Sequence, residues 1–340
     1  MRKFIFIALF LGAALIYLSF SELESVVETL KQGNLWFILL AILIQLSWYL
    51  MAGLTYQSLY QMLGLNESVY KLAFLYASAN FVNTVAPSAG VGGMAVFISA
   101  ATRDGHSPGK VTVASMLCLF LDYVAFLCVL TLGLIVLFRR NDLDPAEVGA
   151  SFVIFAIAMG FGFLLYLGSH SAKALGNALA KMARLVNRLV YPLIHHEYLS
   201  EARAHEFAHE MADDLKSLPK QRRNLLLPFI YSLLNKAIQM AVLVSVFLAF
   251  RVPFSAGTII GGFAITYLFL IVSPTPSGIG IVEGIMPLAL SSLRVPWEQA
   301  VIITLAYRGI TFWIPLAVGA FALRILEREK VPVPKPKIET

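Results

Sequence analysis

Long apolar runs separated by short polar stretches dominate this chain. Six are about the twenty residues needed to cross a bilayer as helix: 4–20, 35–62, 111–138, 148–168, 224–250 and 298–325. Two further regions, 69–101 and 255–293, are each a pair of shorter apolar pieces hinged on a proline- and glycine-rich break. This pattern predicts re-entrant hairpins, because non-helical backbone at membrane depth persists only where it is buried in protein or lines a wet cavity. Read as hairpin or as two spans, each region adds an even number of passes, so orientation does not depend on the choice.

The second break is the sharper one. In YLFLIVSPTPSGIGIVEG at 267–284, Pro274 and Pro276 lack backbone N–H and disfavour helix at Ser273 and Thr275. Gly278 and Gly280 permit backbone angles that other residues avoid. The helix must stop and restart there. Shifting the chain by 188 residues lays Gly90-Val91-Gly92 on Gly278-Ile279-Gly280 and Pro108 on Pro296, with Pro87-Ser88 and Pro276-Ser277 just before the glycines. Each half then reads span, broken hairpin, span: 35–138 as repeat one and 224–325 as repeat two, parted by 148–168 and a linker, 169–223. The whole of 1–340 is expected to be one transmembrane domain.

Charge sets the orientation. Arg2 and Lys3 precede the first span, whereas Glu22, Glu24 and Glu28 against Lys31 follow it. The tail carries Arg324, Arg328, Lys330, Lys335 and Lys337 against three glutamates, and the 169–223 linker is also basic. The positive-inside rule therefore places both termini and the linker in the cytoplasm. Arg139 and Arg140 alone oppose that topology, N-in and C-in. By parity the first repeat begins outside and the second inside, so the repeats are expected to be inverted.

Composition narrows the class. With 59% hydrophobic and 14% charged residues the chain is read as an all-α polytopic membrane protein. The first run lacks a small-residue cleavage pattern before Glu22 and is expected to remain as a helix. The net charge of +6 falls mostly in loops beside spans, so no nucleic-acid partner is expected. Cys118 and Cys128 lie in one apolar segment, where packing as small hydrophobes outweighs a disulfide or metal site. Trp36, Trp48 and Trp297 fall near predicted interfaces and are expected to anchor there.

Inverted repeats with interrupted helices are the build of many secondary transporters, in which half-helix ends meet substrate near the midplane. Helix N-termini at Ser88 to Gly93 and Ser277 to Gly280 would suit anionic groups. Asn80, Asn83, Thr84, Ser88, Thr275 and Ser277 add neutral hydrogen-bonding groups suited to a phosphate-bearing headgroup. Ionisable residues at span depth complete the candidates. Asp122 and Arg308 are near-equivalents in the two repeats, two residues out of register. Lys236 lies mid-span with Asn235 and Gln239 nearby, and Glu283 lies one turn past the second break. Two readings stand: the four charges pair to hold the bundle, or they line a headgroup track in which a carboxylate takes a proton during transport. Arg103 and Asp104, near the end of the first hairpin, are expected to reach the interface.

A rival chemistry lies in the linker. His205-Glu206-Phe207-Ala208-His209 matches H-E-x-x-H, two zinc ligands on one helical face with a glutamate base. No Glu or His follows at a familiar spacing for a third ligand. The segment is expected instead to be an amphipathic cytoplasmic helix that lays Arg184, Arg188, Arg203, Lys216 and Lys220 on anionic lipid. Zinc proteolysis through His205, Glu206 and His209 is the enzymatic alternative.

The run P-T-P-S-G-I-G-I-V-E-G at 274–284, with V-P at 295–296 and A-Y-R-G-I-T-F-W at 306–313, resembles the lysylphosphatidylglycerol synthase/flippase transmembrane-region family. N-T-V-A-P-S-A-G-V-G-G at 83–93 looks like its N-terminal motif. The resemblance implies movement of phospholipids or lipid-linked headgroups between leaflets, with motif residues at Pro87, Gly90, Gly92, Pro276, Gly278, Gly280, Glu283 and Arg308. Ser277 stands where the family commonly has a second glycine. The aminoacyl-transferase domain of two-part members is not expected, so synthesis of an aminoacyl lipid is not implied.

The sequence thus predicts a multi-pass lipid flippase of the cell inner membrane acting on a phospholipid or polyprenyl-phosphate-linked lipid. It is not expected to be an enzyme or to hold a cofactor, and it has no ATP-binding motif. An accessory protein of a lipid-modifying enzyme is the alternative. A homo-oligomer is among the states that the sequence allows.

Overall fold

The computed structural model describes residues 20–85, 91–140, 145–194, 208, 225–273 and 275–328, and every regular element among them is helical. Five helices are long and apolar enough to cross a membrane: Leu35–Met62, Pro108–Arg139, Val148–His170, Leu226–Ala249 and Trp297–Leu326. They coincide with five of the six expected runs. The sixth, 4–20, lies outside the described residues except for Phe20.

α1 (Phe20–Gln32) is a helix where the sequence suggested a polar loop. Val26 and Thr29, three apart, are buried on one face while Glu28 and Lys31 stay exposed. α2 (Leu35–Met62) follows at once. Asn34 caps it by accepting from the Trp36 N–H at 3.0 Å, and its own N–H donates to the Ala249 carbonyl at 2.8 Å. That second bond ties the start of α2 to the end of α8 (Leu226–Ala249), and these two spans pack along each other.

The two broken regions become pairs of short helices. α3 (Val69–Val85) and α4 (Val91–Arg103) have 17 and 13 residues, and α9 (Ala256–Val272) and α10 (Ile281–Ser292) have 17 and 12. At 1.5 Å per residue these rise about 25, 20, 25 and 18 Å, all short of the roughly 30 Å hydrocarbon core.

Four helix ends are built alike. α2 stops at Gly64, φ 69°, with Leu65 N–H returning to the Tyr60 carbonyl at 2.9 Å; α8 stops at Arg251, φ 55°, with Val252 N–H returning to Phe247 at 3.0 Å. α4 stops at Gly105, φ 74°, with His106 N–H returning to Ala101 at 2.9 Å; α10 stops at Arg294, φ 71°, with Val295 N–H returning to Leu290 at 3.0 Å. Each is a left-handed cap with a six-to-one bond that satisfies a terminal carbonyl. Members of each pair lie within one residue of the shift that aligned the two glycine motifs.

The last span is α11 (Trp297–Arg308), a π turn at Gly309–Trp313, and α12 (Ile314–Arg328). α12 packs on α3, and α5 (Pro108–Arg140) packs on α9, so each hairpin leans on the other half's closing span. Small residues permit both contacts, as membrane helices require in the absence of a hydrophobic drive between them. A Cβ on Gly319 would lie 2.6 Å from the Ala77 carbonyl oxygen, and one on Gly133 would overlap the Ala264 Cβ.

α6 (Pro145–His170) packs on α5 and α9 and presents Phe152, Phe155 and Tyr166 outward. α7 (Ala172–Ile194) is amphipathic, burying Leu175 and exposing Lys181, Arg184 and Arg188. Trp36 and Trp297 are exposed, but Trp48 is not the interfacial anchor expected. It lies midway along α2, buried against Tyr49 and Tyr76.

An ionic cluster closes the open end of the first hairpin, with Lys71 2.6 Å from Glu67 and 3.1 Å from Asp104, and His106 3.0 Å from Glu67. Arg103 reaches Asp104 at 3.4 Å. Burial pushes the Glu67 carboxyl up, but the hydrogen bonds and charges of Lys71 and His106 outweigh that and hold it below the ordinary carboxylate range.

Gly133→Val and Gly319→Val should each cost about 1–3 kcal/mol by overpacking, read as a melting temperature lower by several degrees in detergent. Unchanged melting in both would sink the close-approach argument. Because the Glu67 pKa is lowered on folding, its contribution is present above the unfolded carboxylate pKa and lost as pH falls through the folded one. Glu67→Gln should therefore melt about 1–2 °C below wild type at neutral pH, and the gap should close as the medium is acidified below the carboxylate range.

Candidate functional site

The second break is a connector of 3-10 form at Pro276–Gly278, framed by unusual angles: Ser277 at φ 48°, Gly278 at 72° and Gly280 at 80°. Ser277, where a glycine was the familiar residue, carries a side chain in the left-handed region at a cost of about 1–2 kcal/mol. Thr275 Oγ1 donates to the Ile279 carbonyl at 2.9 Å, and Gly278 N–H donates to the Thr275 carbonyl at 3.1 Å. The connector therefore satisfies much of its own backbone.

The N-terminus of α10 was expected to be open to an anion, but the protein's own carboxylate occupies it. Glu283 Oε2 accepts from Gly280 N–H at 2.8 Å. Its other oxygen, Oε1, accepts from Arg308 Nε at 2.5 Å. Arg308 also donates through Nη2 to the Ser277 carbonyl at 3.0 Å and lies 4.9 Å from the centre of the Phe312 ring. One residue thus clamps the connector, a half-buried carboxylate and the π turn that begins immediately after it. π turns of this kind concentrate at functional sites.

Asp122 and Lys236 form the other pair. Lys236 Nζ is 2.7 Å from Asp122 Oδ1, and it donates to the Tyr267 hydroxyl at 2.7 Å while lying 4.2 Å from that ring's centre. The lysine side chain is 2% exposed, whereas that of Asp122 is 33% exposed. The structure therefore joins all four charges expected from the sequence, but as two separate pairs.

Two polar cavities adjoin these pairs. The first, about 620 Å³, is lined by Asp122, Asn80, Asn83, Tyr76, Ser232 and Asn235 among others. The second, about 670 Å³, is lined by Arg308, Ser277, Tyr267, Thr84, Gln45 and Gln239 among others. Asn80 on α3 borders both. In the first hairpin Asn83 accepts from Gly93 N–H at 2.6 Å, bridging the break from α3 to the first turn of α4, where Gly92 also lies.

Pro87, Ser88 and Gly90 lie outside the described residues, as do His205, Glu206 and His209. Among the described residues no three His, Cys, Asp or Glu side chains gather as a metal site. Cys118 and Cys128 are both free. Sequence reasoning passed over Tyr267 and Gln45. Gln45 carried a readable signal, as an amide inside the run 35–62: its Oε1 is buried with no partner among the described residues. Tyr267 carried none, since a tyrosine in an apolar run reads as packing.

These features define a multi-pass helical membrane protein with paired charges around polar interior cavities. Residues 5–319 match the family described as lysylphosphatidylglycerol synthase TM region, and the chain belongs to that family. It is similar over nearly its whole length to a UPF0104 membrane protein of Pyrococcus horikoshii, at 26% identity over 97% of this chain and 98% of that one. A UPF0104 membrane protein of Methanocaldococcus jannaschii is 21% identical over 94% of this chain and 93% of its own.

The unequal burial of the first pair generates a prediction. Asp122→Asn strands a buried ammonium and should cost about 3–5 kcal/mol, whereas Lys236→Met leaves a carboxylate that the cavity can hydrate and should cost less. The double variant should be more stable than Asp122→Asn alone. Simple addition of the two single effects in chemical melts would show that the pair is not coupled.

Proposed function

We propose that this protein is a lipid flippase, moving a phosphate-bearing lipid headgroup between leaflets through the two adjoining cavities. The observation that carries the reading is the pair of polar, charge-lined cavities inside an apolar bundle of a lipid-related family. An interior of this kind is costly in a membrane and has no role in simple packing. The headgroup phosphate would meet Arg308 and Lys236, with Asn83, Thr84, Gln45 and Ser277 supplying neutral contacts. Both pairs are neutral as they stand. An entering anion therefore calls for exchange of partners: the phosphate takes the cation while Glu283 or Asp122 is protonated.

We read the chain as one domain of inverted repeats, α2 to α5 and α8 to α12, with N-in and C-in topology in the cell inner membrane. Three features support the inversion. The four left-handed helix ends recur at the repeat spacing. Each hairpin leans on the other half's closing span through a glycine, Gly133 or Gly319, and the two opening spans pack on each other. The arms of both hairpins rise less than the roughly 30 Å hydrocarbon core, which supports re-entry. Pro87, Ser88, Gly90, Gly92, Pro276, Gly278 and Gly280 would then shape the two breaks that let one repeat move against the other.

The charge pairing favours one rival, an accessory membrane protein in which both pairs serve only stability. Exchange of fluorescent phospholipids and polyprenyl phosphates in proteoliposomes separates the two. A flippase should move selected lipids, and Arg308→Ala and Glu283→Gln should each lower the rate at least tenfold while the folded protein still inserts. Absence of exchange by folded wild type, with variants that lower protein level first, would transfer the assignment to the accessory role.

A further inference from the structure

A third depression differs from the two cavities. It is a groove of about 2080 Å³ between α4, α5, α6 and α7, walled mainly by apolar side chains such as Ile98, Met116, Ile157, Phe163 and Leu179. Its polar members include Asn177 and Lys181, one helical turn apart on α7. Met94, in the first turn of α4, lines both this groove and the Asp122 cavity.

We infer that the groove is a binding site for one acyl chain of an anionic glycerophospholipid, with its phosphate held at Lys181, and that it feeds the headgroup into the Asp122 cavity past Met94. The inference rests on the flippase reading for its last step only. An apolar slot on a spanning bundle forfeits dispersion contacts unless hydrocarbon fills it, and the bilayer supplies acyl chains. α7 belongs to the basic amphipathic linker, whose cations suit headgroup depth rather than hydrocarbon. Its Lys181 is exposed and would sit where the phosphate of a lipid seated in the groove must lie. Charge and apolar shape therefore agree on an anionic lipid. The partition between groove and cavity is a methionine, an unbranched side chain that can change rotamer without disturbing the helix.

Gly160 offers a way to fill the groove without disturbing the core, since a Cβ built there meets nothing within 4 Å. The full chain would be placed in phosphatidylcholine vesicles carrying phosphatidylglycerol with a diazirine on its acyl chain, irradiated, and mapped by peptide. Label should concentrate on the segments around Phe163 and Leu179, fall several-fold in Gly160→Trp, and persist in Arg308→Ala. Lys181→Ala should reduce the preference for the phosphatidylglycerol probe over a phosphatidylcholine probe by about fivefold. Gly160→Trp should also slow leaflet exchange, and Met94→Ala should speed it. Label spread evenly over the outward face of α6 at Phe152 and Phe155, or unaltered in Gly160→Trp, would overturn the site. Stronger labelling by a diazirine fatty acid than by the phospholipid would overturn its assignment to a glycerophospholipid. Groove label with no exchange by wild type would refute the flippase reading and the feeding step while leaving the lipid site standing. Exchange unaffected by Gly160→Trp would refute the feeding step alone.

Discussion

A backbone interrupted at membrane depth must find partners within the protein, and this constraint organises the centre of the molecule. Each unpaired amide there costs several kcal/mol. The second break is closed by Thr275, by Glu283 on Gly280, and by Arg308 on the Ser277 carbonyl. Because the same glutamate caps α10 and pairs with Arg308, backbone closure and charge neutralisation form one unit. Neither Glu283 nor Arg308 can change partner without loosening the connector. That coupling is what a transporter would need at a hinge: a change in charge at the site becomes a change in backbone.

The burial of the pairs adds direction to this coupling. In both, the cation is the more enclosed member: Lys236 at 2% against Asp122 at 33%, and Arg308 at 4% against Glu283 at 19%. The cavities nonetheless present opposite members of the two pairs: Asp122 lines the first, whereas Arg308 lines the second. On the proposed reading, neutralising the carboxylate leaves an enclosed cation with a strong demand for an anion, which a lipid phosphate can meet. A buried pair broken without such a substitute would cost about 3–5 kcal/mol, so the exchange of partners must be concerted with substrate entry.

Much of the helical plan was legible from hydropathy, because five apolar runs needed no partner to declare themselves. The breaks were legible from prolines and glycines for a chemical reason, namely a missing N–H and a missing Cβ. Other features were hidden by context. The helix α1 is not legible in the sequence, because its glutamates mask the short spacing of Val26 and Thr29. Trp48 was assigned to an interface from its residue type, yet it lies buried midway along α2. The pairing of Asp122 with Lys236 joins residues 114 positions apart, and no local pattern encodes which of two cations a carboxylate will reach. The capping role of Glu283 was readable in principle, since a glutamate at the third position of a helix commonly reaches back to its start.

The repeat itself carries a further consequence. If the two halves are inverted copies, their backbones can trade conformations, and the inward- and outward-facing states would be nearly equal in energy for a chain with identical halves. This chain breaks the equality at its most costly positions. Asp122 and Arg308 occupy near-equivalent places on the closing spans with opposite charge. Arg308 finds its carboxylate within its own half, whereas Asp122 takes a cation from the other half. A motion of one half against the other would leave the Arg308 pair intact and strain the pair between Asp122 and Lys236. On that argument the pair spanning the two halves is the latch, the pair within the second half is the hinge, and the resting state is the one in which the latch is closed.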